Sequence, residues 1–235
     1  MTPQVVVDYQ ALSRYAADWL IGRLRQRPEA LVCLATGATP QGTYSLLAEH
    51  GAAEPELVER MQVIKLDEWG GLARDDPASC EQYLRRALIE PLRLKDRYVS
   101  FDSDAADPQA ECARIARWLA EHGPIDTCVL GLGVNGHLGF NEPAASLQPH
   151  AHVAQLSSAS LTHAMLDCAQ KRPAFGLTLG MADILQARQA LLLVSGSTKR
   201  EPLRRLLSGQ IATDFPASLL WLHRDVSLVC DAEAA

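Results

Sequence analysis

The sequence predicts an α/β protein, one domain with a mostly parallel central sheet flanked by helices. Three observations predict it. Short apolar runs alternate with amphipathic stretches along the 235 residues, the pattern of βαβ units. The apolar runs carry little polar alternation, as expected of strands covered on both faces. No internal repeat and no Pro/Ser-rich linker divides the chain, so residues 1–235 are expected to form a single unit.

The runs Leu31–Ala35, Gln62–Leu66, Thr127–Leu132, Ala190–Ser195 and Val226–Cys230 read as strands. Between them, Gln10–Arg25 spaces Leu12, Tyr15, Ala16, Trp19, Leu20 and Ile21 along one helical stripe. Pro40–Glu49, Glu81–Glu90, Pro108–Glu121 and Glu201–Leu207 read as further helices, with Pro40 and Pro108 acceptable in a first turn. The segment around 143–173 is rich in Ser, His, Asn and Pro and reads as an insertion or a cover.

Composition narrows the function. A net charge of -6 without a basic block argues against a nucleic-acid partner. Six scattered cysteines without a CxxC pair read as buried small hydrophobes of a reducing compartment. Met1-Thr2-Pro3-Gln4 does not open a signal peptide, and no apolar run reaches transmembrane length. A cytoplasmic protein with no membrane partner is the expectation, and the residues leave a monomer and a homo-oligomer equally open.

In open parallel sheets ligands bind beyond the carboxyl ends of the strands, so chemistry is sought in the segments that follow them. Thr36-Gly37-Ala38-Thr39-Pro40 is either an anion-binding turn at a helix start or a plain capped joint. Asp67 and Glu68 follow the second strand. They are either acid–base groups or a solvated or capping pair, and as neighbours in extended chain they face opposite ways. The third exit, Gly133-Val134-Asn135-Gly136-His137-Leu138-Gly139-Phe140-Asn141-Glu142-Pro143, is the most informative. It sets a histidine five residues from a carboxylate in a loop without apolar periodicity, a pairing able to move protons near neutral pH. Gly196-Ser197-Thr198-Lys199 sets a lysine at a helix start, where the dipole disfavours a cation unless an anion lies between them. There is no Walker loop, no GxGxxG and no zinc cluster. Phosphate turns with acid–base groups point to a sugar-phosphate enzyme.

Taken together, Ala35–Pro40, Lys65–Trp69, Leu130–Pro143, Gly176–Ala182 and Gly196–Lys199 resemble, in order, the glucosamine-6-phosphate deaminase/isomerase family, whose broader group includes 6-phosphogluconolactonase. Asn-Gly-His followed by Phe-Asn-Glu-Pro places the chain on the deaminase side. Cys33–Pro40, Lys65–Trp69, Gly176–Gly180 and Ser218–His223 look like the galactosamine-6-phosphate branch.

The resemblance implies a modified Rossmann-like fold. It also implies isomerisation with deamination of an amino-hexose 6-phosphate and no metal or organic cofactor. Galactosamine 6-phosphate would give tagatose 6-phosphate and ammonia; glucosamine 6-phosphate would give fructose 6-phosphate and ammonia. His137 is then expected to assist ring opening and Asp67 to move the C2 proton to C1. Asn135 and Glu142 would hold His137. Thr36, Gly37, Ala38, Thr39 and Lys199 would take the phosphate, with Glu68 and Gly136 also at the substrate. A phosphate-binding arginine of relatives falls in Leu161–Leu166, which has none; His163 and Arg172 are the two candidates to replace it. A lactonase-type hydrolase and a non-catalytic sugar-phosphate sensor remain the alternatives.

Overall fold

The computed structural model describes all of Met1–Ala235. Seven strands form a wholly parallel sheet: β1 (Pro3–Val6), β2 (Leu31–Leu34), β3 (Gln62–Lys65), β5 (Tyr98–Val99), β6 (Thr127–Gly131), β9 (Gln189–Val194) and β10 (Val226–Asp231). Their spatial order is β1-β10-β9-β6-β2-β3-β5. A second, antiparallel sheet has the order β4-β8-β7, formed by β4 (Asp67–Gly70), β7 (His152–Ala154) and β8 (Phe175–Thr178).

The alternating sides of the strands build two cores. Cys33, Ile64, Cys128, Leu130 and Leu192 pack on one face with α4 (Pro108–His122). Val32, Leu34, Val63, Val129 and Leu193 pack on the other with α1 (Tyr9–Gln26) and α2 (Ala38–Ala53). Both α1 and α4 begin at an aspartate. Asp8 accepts from the Ala11 N–H, and Asp107 from those of Gln109 and Ala110, with Pro108 at the first helical position. The helix expected over Glu81–Glu90 is instead a short α3 (Cys80–Leu84) that widens into a π turn at Arg85–Ile89. The chain then closes through α5 (Ser158–Leu161), α6 (Met181–Leu185) and α7 (Arg200–Leu207).

The five expected strands and their parallel pairing are present. The second sheet was not expected, because its strands are three or four residues long and β4 begins with two charged residues. Those charges are tolerated because Lys65 is buried with them. Its ammonium meets Glu68 Oε2 at 2.6 Å, Glu81 Oε2 at 3.1 Å and the Phe101 carbonyl at 3.3 Å. Glu68 Oε1 accepts the N–H groups of Trp69 and Cys80, and Oε2 that of Glu81. Burial alone would lower the Lys65 pKa; Glu68 and Glu81 reverse this and hold it above its ordinary value.

Between β3 and β4 a single residue, Leu66, serves both sheets. Its N–H donates to Leu34 and its carbonyl accepts from Leu179. The chain thus changes sheet in one step, and Asp67 is the first residue beyond it. Lys65→Met would strand the buried Glu68 carboxylate without a cation and leave Glu81 with Arg85 alone. It is expected to cost about 3–5 kcal/mol in urea unfolding, whereas exposed Arg204→Ala should leave stability nearly unchanged.

Candidate active site

The centre of the large sheet is a topological switch: the chain leaves β2 toward β3 on one side and β6 toward β9 on the other. A crevice opens there at the carboxyl ends of the strands. It has a volume of about 550 Å³ and collects residues from four strand exits, among them Thr36–Pro40, Asp67, His137 and Lys199.

The turn after β2 is held from behind. Tyr44, Tyr83 and Tyr9 donate their hydroxyls to the carbonyls of Ala35, Gly37 and Ala38 at 2.8, 2.8 and 2.9 Å. With these carbonyls engaged, the turn is left to present its N–H groups. Gly37 caps α2 at φ +108°, a conformation that disfavours any side chain, and no side chain caps the helix. The first turn of α2 therefore keeps its donors free for an anion. Opposite, the Asp231 carboxylate accepts the Gly196 N–H at 3.1 Å and the Ser195 hydroxyl, fixing the turn that carries Lys199. Lys199 has no carboxylate partner, and burial lowers its pKa.

Asp67 is only 8% exposed, and its Oδ1 has no hydrogen-bond partner. Burial raises its pKa to about 7, with the Glu68 charge adding to the effect and Lys65 opposing it. His137 is set differently. Its Nδ1 lies 3.2 Å from Glu142 Oε2. That oxygen also accepts from Asn135 Nδ2 at 2.8 Å, while Oε1 accepts from the N–H and hydroxyl of Ser157 and the hydroxyl of Ser160. Burial alone would raise the Glu142 pKa, but the bonds from His137, Ser160 and Asn135 outweigh it and hold the group at about 2. An ionised carboxylate only accepts, so Nδ1 of His137 carries the proton and Nε2 is left for a ligand. His137 lines the crevice, whereas Asn135 and Glu142 stand behind it.

Three residues expected at the ligand do not line the crevice. Glu68 is fully buried and spent on Lys65 and the start of α3, so it does not line the crevice. Gly136 lies against the Phe215 ring, where a Cβ would come within 2.1 Å of that ring, so its role is packing. Arg172 rims an adjoining cavity of about 560 Å³, its guanidinium donating to the Leu161 carbonyl at 2.7 Å. The run Lys171-Arg172-Pro173 leads into β8 and carries the arginine away from the crevice. His163 lines both spaces. Sequence reasoning missed Trp69, Cys80 and Phe140 in the crevice wall and the serine pair on Glu142. The signal for the serines was present: Ser157 has the spacing of a helix cap to Ser160, and it caps α5.

The family described as glucosamine-6-phosphate isomerases/6-phosphogluconolactonase matches residues 7–229. A protein of Escherichia coli (strain K12), provisionally named as the deaminase AgaI, is 44% identical over 94% of this chain and 88% of its own. Glucosamine-6-phosphate deaminase 1 of Bacillus subtilis (strain 168) is 37% identical over 97% and 95%. The solved structure of a monomeric glucosamine-6-phosphate deaminase superposes with a TM-score of 0.94 at 35% identity, covering 100% of this chain and 98% of its own. The 6-phosphogluconolactonase of Trypanosoma brucei, at 23% identity and a TM-score of 0.80, shares the fold.

The two carboxylates give opposite pH signatures. Between its ordinary value and about 7, Asp67 holds a proton in the folded chain that the unfolded chain releases, so stability falls as pH rises through that window. The difference amounts to at most about 4 kcal/mol. Asp67→Asn is expected to raise the melting temperature at pH 8, the gain closing as pH falls toward 4. Glu142, depressed to about 2, contributes stability above its ordinary value that is lost as pH falls toward 2. Glu142→Gln should therefore melt earlier than wild type at pH 6 and match it near pH 2. Thermal melts across pH check both.

Proposed function

This chain belongs to the glucosamine-6-phosphate isomerase/6-phosphogluconolactonase family, and from that premise we propose that it isomerises and deaminates an amino-hexose 6-phosphate. The observation that carries the reading is the unpartnered, buried carboxyl of Asp67 in the same crevice as a histidine whose tautomer is set by Glu142. A base that takes a proton from an oxygen or nitrogen acid usually rests in a hydrogen bond. A base that takes one from carbon needs an open lone pair, and a pKa near the working pH.

The phosphate seats on the Thr36–Thr39 turn and Lys199. His137 Nε2 takes the proton of the anomeric hydroxyl and returns it to the ring oxygen, which opens the pyranose to the free aldehyde. The C2 hydrogen then lies α to a carbonyl and is acidic enough for Asp67 to remove. Asp67 returns that proton to C1 of the resulting enolamine, which leaves an imine at C2. Water adds to the imine, the C–N bond breaks, and ammonia departs from the ketose phosphate. No redox change occurs, and each proton that Asp67 gains it gives back.

Galactosamine 6-phosphate is the favoured substrate in this reading. Of the segments that resemble the galactosamine branch, Ala35–Pro40, Leu66, Asp67 and Trp69 line the crevice, which supports this preference. No helix is long and apolar enough to cross a membrane, and a phosphorylated sugar, charged and confined within cells, fits the expected cytoplasmic setting.

Ammonia release from galactosamine 6-phosphate and glucosamine 6-phosphate, assayed side by side, tests the reading. Turnover of both with a higher kcat/KM for the galactosamine sugar is expected; silence on both, with hydrolysis of a phosphogluconolactone, would assign the chain to the hydrolases instead. Asp67→Asn should lower kcat by about 10²–10⁴-fold with sugar-phosphate binding retained. Full turnover in that variant would remove Asp67 from proton transfer.

A further inference from the structure

The phosphate cradle described above contains one permanent cation, Lys199, for a ligand group that is a dianion near neutral pH. His163 is placed to supply a second. It stands at the wall between the main crevice and the adjoining cavity. Its ring lies 6.2 Å from that of Trp69, centroid to centroid. Its Nδ1 accepts the Met165 N–H at 3.2 Å, which fixes the ring and leaves Nε2 to carry the proton in the neutral form. Nε2 has no partner in the protein. Resting on the proposed sugar-phosphate reading, we infer that His163 joins Lys199 as the second charged donor to the substrate's phosphate, and that it takes up a proton as the phosphate arrives.

The electrostatics of the empty crevice supply the driving force. The charged and titratable groups that line the two cavities with His163 are His137 from the loop after β6, Lys199 from the turn after β9, Asp67 from β4, the Cys80 thiol from α3, Asp167 on its own turn, and Lys171 and Arg172 from the run before β8. Burial lowers the His163 pKa, His137 and Lys199 lower it further, and Asp167 alone opposes them. These surroundings therefore favour the neutral ring. A phosphate dianion reverses the balance, because its two negative charges favour the imidazolium over the neutral ring. The proton comes from solvent. It goes to Nδ1, because Nε2 already carries one. This breaks the bond from Met165 N–H and loosens the Ala164–Cys168 turn as ligand binds. The crevice is thus tuned to bind phosphate through a proton it does not hold beforehand, and affinity falls as pH rises.

Calorimetric binding of sorbitol 6-phosphate, which has no carbonyl to isomerise, tests the inference when run in buffers of different ionisation enthalpy. At pH 7.5 wild type is expected to take up a large fraction of a proton per ligand. Its affinity should fall by up to about tenfold from pH 7 to pH 8. His163→Gln keeps a neutral donor, and should bind about tenfold more weakly at pH 7 with the uptake abolished. His137→Gln should keep the uptake. As a second measurement, independent of any variant's folding, the His163 Cε1–H resonance of wild type should move from its neutral to its protonated position when ligand is added at pH 7.5. Unchanged uptake in His163→Gln, or a resonance that stays neutral in the complex, would overturn the inference and leave the deaminase reading intact. Failure of sorbitol 6-phosphate to bind at all would overturn the cradle and this inference together, whatever the ammonia assay shows.

Discussion

The site depends on a lysine that does not line the crevice. Lys65 is completely buried at the end of β3, where an ammonium is tolerated only because Glu68 and Glu81 reach it from two directions. That pairing joins three things: the last residue of β3, the first strand of the antiparallel sheet, and the start of α3. Removing one partner from such a cluster costs far more than the cluster is worth compared with apolar residues of the same size. Its contribution is to the geometry. It decides that the chain turns into the second sheet at Leu66, and therefore that the next residue, Asp67, emerges at the mouth of the crevice with one oxygen unengaged.

Glu142 organises the other half. Its two oxygens accept from His137, Asn135, Ser157 and Ser160. One carboxylate thus fixes the histidine's tautomer and the start of α5, within the segment expected to cover the site. The two acidic groups of the crevice region are held in opposite states by surroundings alone. Asp67 is starved of donors and pushed up to about 7, while Glu142 is saturated with donors and drawn down to about 2. Pairs of carboxyls driven apart in this way are how one fold presents a base and a fixed negative charge at the same pH.

The sequence carried the five inner strands of the large sheet plainly, because buried parallel strands are written as uninterrupted apolar runs, but not its edge strands β1 and β5. It hid the small sheet, because β4 opens with Asp67-Glu68, which reads as loop until the buried Lys65 is known. The histidine and the carboxylates were legible from residue type and spacing. What each does was not, since Glu68 and Asp67 are adjacent in the chain and differ only in what they face. Arg172 was an equal candidate with His163 until the path into β8 took it out of the crevice. The serines on Glu142 were legible only as a helix cap, because a hydroxyl's partner fifteen or more residues away leaves no local pattern.

The uncapped start of α2 bears on the lifetime of the protein. The helix begins without the side-chain acceptor that most helices carry, and an anion seated on the turn would be that cap. Binding then adds to folding by mass action, and chains that open transiently become rarer as phosphorylated sugar accumulates. Proteases act on the opened population. On the reading above, a cell supplied with the sugar would keep this chain longer than a starved one. Abundance would follow demand without any change in synthesis, through the backbone N–H groups of Gly37, Ala38 and Thr39 at the end of a strand.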